Sequence, residues 1–455
     1  MKDKAESFCL PDKMPQLTQY YCGIMLCLFL IFPIVNTVRR LCGDSNILFD
    51  LWRDYIYYLV GGFFVILLLA FWFMRTNNEI QYSDLKKKLL GNPAWIFLGL
   101  LAVWMILSVS VTGFVYDSVI GTEKSHTGLL CSLEYCTVFV IALFVKKKKL
   151  IRLWTSLFLS VGFIVSFLIV FDYYVLGFKI NFVDSSIIFY NSNHLSYFLL
   201  MVTVCAYMVY LVGSEMKIRI PAFIVYVFGA AALMIANTVG CLIALILSYL
   251  LGAIVLLLSG KFKWIRFLTV ILTVCLIYLI LVFVPNPADM TLKSWMNANK
   301  DFVVSGIKTL IKDEEKPDDL GNGRLVLWKC AFQSSLEKPL FGCGLAEMRF
   351  RLMVATNGVN NTVHNEFLEF SSNHGIPALI FYLGFVMSVF IRGAKHRKEL
   401  TEMNVISLCV AFAYLASSFV GVSMFYTAPY LYIFLAFGYF RRESDPLQED
   451  KKLMK

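Results

Sequence analysis

Apolar runs of about 17 to 25 residues, each long enough to cross a hydrocarbon core of ~30 Å, recur from one end of this chain to the other. Lipid offers no partner to a bare N–H or C=O, so each run has to close its own hydrogen bonds as a helix. The runs place spans near residues 20–37, 55–74, 94–114, 129–145, 153–176, 194–212, 220–236, 239–258, 265–284, 375–391, 405–421 and 424–440, about twelve in all. Of the 455 residues 59% are hydrophobic and only 16% charged, more apolar surface than a water-soluble globule can hide. Residues 1–19 are polar and mixed in charge, without a short apolar core followed by a small-residue cleavage site, so the first span is expected to stay in the mature protein. The fold expected is an all-α polytopic membrane protein.

Cations then orient the bundle. "MRTNNEIQYSDLKKK", "VKKKKLIR", "SEMKIR", "GKFKWIR", "IRGAKHRK" and the tail "RRESDPLQEDKKLMK" alternate with connections that carry few lysines or arginines, such as "YDSVIGTEKSHT" and "LGFKINFVDSS". The positive-inside rule puts both termini in the cytoplasm and makes the net charge of +10 a topology and anionic-lipid signal, with no nucleic-acid partner implied. One long connection, from Pro285 to Asn373, falls on the outer side between spans nine and ten. The chain therefore divides into a bundle of about nine spans at 1–284, an extracytoplasmic loop domain at 285–373, about three spans at 374–440 and a cytoplasmic tail at 441–455.

A loop of that length has room for structure and function. In "SWMNANKDFVVSGIKTLIK", Trp295, Val303, Ile307, Leu310 and Ile311 recur near helical spacing among lysines, the pattern of a segment lying on the membrane surface. "PDDLGNGR" reads as a turn, and its Asp318 and Asp319 as solvated turn residues; no metal is expected. "RLVLWKCAFQSSLEKPLFGCG" reads as a helix capped by Asn322, with Leu325, Trp328, Phe332 and Leu336 as its buried stripe and Pro339, Gly342 and Gly344 ending it. Arg324 in its first turn opposes the helix dipole, so helix stability does not account for it. A third helix, capped by Asn361 or Thr362 and running to about Ser372, would carry His364, Phe367, Leu368 and Ser371 on one face and point Glu366 and Glu369 elsewhere. Gly375 ends it and Pro377 opens the next span. The twelve cysteines lie mostly in or beside spans as small apolar residues; Cys330 and Cys343 share the loop and can pair in an oxidising compartment.

"GRLVLWKCAFQSSLEKPLFGCGLAEMRF" followed by "HNEFLEFSSNHGIPALIFYL" resembles the signature region of the O-antigen ligase and polymerase family of polytopic membrane glycosyltransferases. An arginine and a tryptophan stand ahead of a P-x-x-G-x-G turn, then come an HN motif and a glycine-led span. "FYNSNHLSYFLL" and "FVGVSMFYTAPYLYIFLAFG" are similar to the family's asparagine-rich start of the sixth span and to its usual close. The resemblance is dense in the last third of the chain and mostly compositional before it. Two positions depart: Val239 stands where the family's ligases commonly have an arginine, and Ala378 where a glycine is usual.

The resemblance implies a GT-C-like bundle and a metal-independent transfer, without cofactor, of a glycan from a polyprenyl diphosphate carrier to a glycan or glycolipid acceptor at the outer face of the cell membrane. Such a donor needs fixed cations for its diphosphate. Arginine offers paired donors and never deprotonates, which favours Arg324 over Lys338, Arg349 and Arg351; the alternative for each is a solvated or headgroup-facing cation. The acceptor hydroxyl needs a base, and His364 is the one of five histidines inside the motif, a residue type whose pKa lies near working pH. Asn365 or Glu366 would orient the imidazole or the incoming sugar. Asn191, Asn193 and His194, at the start of the sixth span, line the same cavity or cap the helix. His374 is expected to bond a free carbonyl at a helix end, and Asp172 to snorkel to water. Within this reading the products of a polysaccharide ligase, a polymerase or a protein O-oligosaccharyltransferase differ only in acceptor. A lipid-linked oligosaccharide flippase is the competing class, but transporters usually place ionisable or broken-helix residues at mid-membrane, whereas the polar residues here gather in one outer loop. With the native reactive cysteines replaced, a cysteine at Asn322 should label with a membrane-impermeant thiol reagent in intact cells; labelling only after permeabilisation would reverse the topology.

Overall fold

The computed structural model describes residues 16–43, 61, 92–121, 127–183, 187–189, 191–294, 324–358, 360–421 and 423–440. Nearly all of the expected span at 55–74, the surface segment from Trp295, the turn with Asp318 and Asp319, the Asn322 cap and the tail lie outside the described residues. The described chain is helical: α1 Gln16–Leu28, α2 Ile31–Leu41, α3 Pro93–Thr112, α4 Tyr116–Val119, α5 Leu129–Phe144, α6 Lys148–Tyr174, α7 Ser192–Val212, α8 Met216–Ala236, α9 Val239–Leu258, α10 Trp264–Phe283, α11 Arg324–Glu337, α12 Leu345–Ala355, α13 Glu366–His374, α14 Ile376–Lys395, α15 Glu402–Ser418 and α16 Ala428–Gly438. Among the described residues eight helical stretches are long and apolar enough to cross a membrane, with α1 and α2 together making the first; α5, α15 and α16 are shorter apolar helices. These helices and the lack of any strand among the described residues fit the all-α membrane protein expected.

The bundle is built around α7, which is buried along nearly its whole length, and α16, which is buried throughout. Packed on them are α5, α6, α8 and α15, with α9 lying against α7 and α15. At one core contact Trp154 of α6 stacks on Phe158, meets Phe434 and Phe437 edge-on, and donates its indole N–H to Leu26 O at 3.0 Å. At the opposite extreme α10 leaves Ile265, Leu268, Leu272 and Leu276 exposed, the apolar outward face that suits hydrocarbon surroundings.

Where a helix breaks, another side chain satisfies the freed backbone. Pro33 has no N–H to offer Phe29 O, and α1 gives way to α2 just before it. Tyr430 of α16 donates its hydroxyl to that carbonyl at 2.9 Å. Asp172 behaves likewise, and corrects the expectation that it snorkels. It is fully buried, and its carboxylate accepts the backbone N–H groups of Ile180 at 3.1 Å and Asn181 at 2.8 Å, folding the connection after α6 back onto the helix.

Three loop helices, α11, α12 and α13, pack on one another and dock on α3, α4 and α14. The helix α12 was not apparent in the sequence. The buried stripe of α11 is Leu327, Ala331, Ser334 and Ser335, whereas Leu325, Phe332 and Leu336 are exposed, so the expected stripe is corrected by about a quarter turn. Small residues win the inner face because α13 approaches closely there, and Ser335 Oγ donates to Ser371 Oγ at 2.9 Å. The third helix also starts later than expected: Asn365 is its cap, accepting Leu368 N–H at 3.0 Å, so His364 precedes the helix and does not share its face. Cys330 and Cys343 are both free thiols, and Cys343 Sγ lies 3.1 Å from Ser372 O, its acceptor.

The P-x-x-G-x-G turn has a structural purpose. Its backbone pairs with the far end of α13 through Cys343 N to Ser372 O at 2.9 Å, Gly344 N to Asn373 O at 3.1 Å and Ile376 N to Pro339 O at 2.8 Å. The chains are so close that a methyl group on Gly375 would overlap the Leu340 carbonyl. From α3, Trp104 Nε1 donates to His374 O at 3.1 Å, and Ser108 Oγ donates to Phe341 O at 2.7 Å. The half-buried His374 ring reaches Ser108 Oγ with Nδ1 at 3.2 Å, which makes it a bolt to α3 instead of a plain helix-end residue. Gly375 sits at φ 84° and ψ 167°, a region that costs a side-chain-bearing residue about 1–3 kcal/mol before any overlap is counted. Gly358 has φ 83° with open space around it. Gly375→Ala should therefore lower the thermal midpoint of the detergent-solubilised protein well beyond Gly358→Ala, and equal shifts would show that the backbone lock is not tight.

Candidate functional site

The start of α11, the two residues ahead of α13 and the first turn of α7 deliver the polar groups. His364 is held in the left-handed region at φ 53°. Its carbonyl accepts Trp328 Nε1–H at 3.4 Å and its Nε2 lies 3.2 Å from Thr362 Oγ1. In the tautomer that gives Nε2–H to Thr362, Nδ1 carries the lone pair and has no hydrogen bond among the described residues. Burial, and then the positive charge of Arg324, push the imidazole pKa down to about 4. The expectation of a pKa near working pH is thereby corrected: the ring is neutral across the ordinary range.

Arg324 is partly buried at the start of α11, and among the described residues no carboxylate pairs with it. Its charge is felt by His364, by Tyr197 of α7 and by Cys241 of α9, which places it where the loop helices meet the ends of two bundle helices. The other cations proposed from sequence are committed elsewhere. Lys338 pairs with Glu347 at 2.6 Å, Arg349 with Asp117 of α4 at 2.6 Å, and Arg351 with Glu347 at 2.7 Å and Glu337 at 2.5 Å. These are partly exposed pairs that tie α12 to its neighbours, each worth little in stability.

Glu366 and Glu369 occupy the first turn of α13, which suits the helix dipole, yet both carboxyls are enclosed. Tyr382 of α14 donates to Glu366 Oε1 at 2.9 Å, and among the described residues Oε2 has no partner at full hydrogen-bond geometry. Burial raises Glu366 to about 7 against the opposing pull of the Tyr382 and Ser418 hydroxyls, and burial with the neighbouring Glu366 raises Glu369 to about 8. Glu366 thus points into the bundle, as a carboxyl that can hold its proton near neutral pH.

On α7 the Asn191 side chain accepts Asn193 N–H at 2.8 Å, a capping role. His194 is buried, with Nδ1 2.7 Å from Tyr426 Oη, and lies close enough to His364 for the two rings to interact electrostatically. The structure therefore brings His364, Arg324, Glu366 and His194 to one locality, leaves Lys338 and Arg349 in ion pairs, and uses Asn365 and Asn191 as caps. Tyr382 and Tyr426 escaped the sequence reading because tyrosines inside apolar runs, among 23 in the chain, carry no spacing that marks them. Among the described residues no cluster of histidine, cysteine or carboxylate groups forms a metal site. Val239 is exposed at the start of α9, so that helix presents no cation there.

A guanidinium without a carboxylate partner beside a neutral imidazole can receive an anion and a proton at adjacent points. The model of the O-antigen ligase family matches residues 224–383, a segment that runs from α8 into α14 and contains Arg324, His364 and Glu366. No curated protein matches the chain. If His364 is the group whose neutral form supports activity, the acid limb of the kcat/KM profile, which reports the free protein, should fall near pH 4, well below the ordinary histidine value of about 6.5. Removing the positive charge in Arg324→Gln should move that limb upward. A wild-type limb near pH 7 would instead identify Glu366 as the titrating group.

Proposed function

We propose that the protein is an extracytoplasmic glycosyltransferase that moves a glycan from a polyprenyl diphosphate to an acceptor sugar, as a surface polysaccharide ligase or polymerase. The observation that carries this reading is the placement of Arg324, unpaired with any described carboxylate, beside the neutral His364 within the O-antigen ligase domain. Arg324 would hold the diphosphate. His364 would take the proton of the acceptor hydroxyl as the new bond to the anomeric carbon forms. The bond from that carbon to the diphosphate breaks, its electron pair stays on the phosphate oxygen, and the polyprenyl diphosphate is released.

The electrostatics favour this order of events. Before the donor arrives, burial and Arg324 keep His364 weakly basic. An anionic diphosphate on Arg324 offsets the guanidinium charge and raises the basicity of the imidazole where the hydroxyl has to be deprotonated. Glu366 and Asn365 would support the loop that carries His364, one from the Tyr382 side and the other as the α13 cap. Lys338 and Arg349 would be in reach of the donor only by giving up their ion pairs. In this reading about twelve spans place the loop helices outside a cell membrane and both termini in the cytoplasm.

The test uses the purified protein, a lipid-linked glycan donor and a sugar acceptor. His364→Asn, a type that the left-handed backbone of this position accepts, should fold and bind donor yet transfer about 10²–10⁴-fold more slowly, the usual contribution of a positioned base. Arg324→Lys should lose much of the activity although it keeps the charge, because an ammonium cannot reproduce paired donation to phosphate. Wild-type rates in both variants would remove this chemistry. In cells lacking the protein, accumulation of single repeats on the carrier would indicate a polymerase and long chains left on the carrier a ligase.

A further inference from the structure

Tyr197, one turn into α7, is 2% exposed, yet its hydroxyl has no hydrogen bond among the described residues. A phenol this deep in the fold normally finds a partner, and its oxygen is not among those sealed off without one, as Tyr414 Oη is. Its surroundings are built to keep the hydroxyl where it is. The ring is held between the rings of His194, at 5.9 Å, and Tyr414, at 6.1 Å. Opposite the oxygen stands Gly421, and a methyl group there would occupy the position of the hydroxyl itself. Tyr197 also feels the charges of both Arg324 and Glu366, so it lies near the proposed diphosphate contact as well as the buried carboxyl of α13.

We propose that the Tyr197 hydroxyl donates a hydrogen bond to an oxygen of the donor's diphosphate, alongside Arg324, the glycine at 421 keeping open the space that this hydroxyl needs. The proposal rests on the glycosyltransferase reading and adds to it a residue from a bundle helix. During transfer the anomeric carbon–oxygen bond breaks with its electrons remaining on the diphosphate, so negative charge grows where the phenol points. The phenol keeps its own proton throughout, while the acceptor's proton goes to His364.

Farnesyl diphosphate, a short polyprenyl diphosphate, and farnesol, the same chain without phosphate, serve as probes for binding to the full chain in lipid nanodiscs. Tyr197→Phe keeps the ring packed and removes only the donor. It should weaken farnesyl diphosphate by about tenfold to a hundredfold, the range for a hydrogen bond to a charged group, and leave farnesol unchanged. Gly421→Ala, which pushes against the hydroxyl, should weaken the diphosphate in the same direction. If Arg324→Lys weakens farnesyl diphosphate while Tyr197→Phe binds it like wild type, or loses farnesol to the same extent, this assignment is overturned and the glycosyltransferase reading survives. If wild type shows no preference for farnesyl diphosphate over farnesol, both fall together.

Discussion

The non-helical backbone between α11 and α14 has to have its hydrogen bonds met from within the protein, and the rest of the site depends on how that is done. A transmembrane helix satisfies itself; a turn against one cannot. Here the carbonyls of Phe341 and His374 are answered by Ser108 and Trp104 of α3, and those of Pro339, Ser372 and Asn373 by backbone N–H groups across the turn. The glycines at 342, 344 and 375 allow that closeness. The result fixes α13 against α14, and with it the height of Glu366 and of the two residues ahead of it.

Charge is distributed over the loop helices with the same economy. Lys338, Arg349 and Arg351 each neutralise a carboxylate on a neighbouring element, so they hold α12 and α4 in place and add little net field. Arg324 differs in having no such partner among the described residues while lying near His364 and near Tyr197 of α7. An ionised group held this way stores an electrostatic demand that a ligand can meet, and it adds to burial in keeping His364 weakly basic.

The sequence conveyed the helices well where lipid imposes a length. The run expected at 239–258 is α9, and that at 129–145 is α5 with one residue fewer. It conveyed the loop less well, for a physical reason. On α11 the larger apolar residues, Phe332 and Leu336, face outward, while Ala331 and Ser335 face α13; at a membrane boundary, apolar spacing marks the outer surface as readily as the inner one. His364 and Arg324 could be nominated from the motif, and the structure brings them together. The backbone conformation of His364, the Tyr382 contact to Glu366 and the Tyr426 contact to His194 depend on residues 16 to 232 positions apart and leave no local pattern.

The left-handed backbone of His364 narrows what can ever stand at that position. A residue at φ 53° with a Cβ is costly unless its side chain is short and polar or absent, so histidine, asparagine, aspartate and glycine are the types the backbone tolerates. Aliphatic and β-branched replacements would have to rebuild the turn ahead of α13 before they could be accommodated. The alternatives open to drift are thus an amide, an acid or an empty space. Each of them alters the proton chemistry of the site while leaving the chain trace intact, so descendants of this protein would lose or change their reaction here well before they lost their shape.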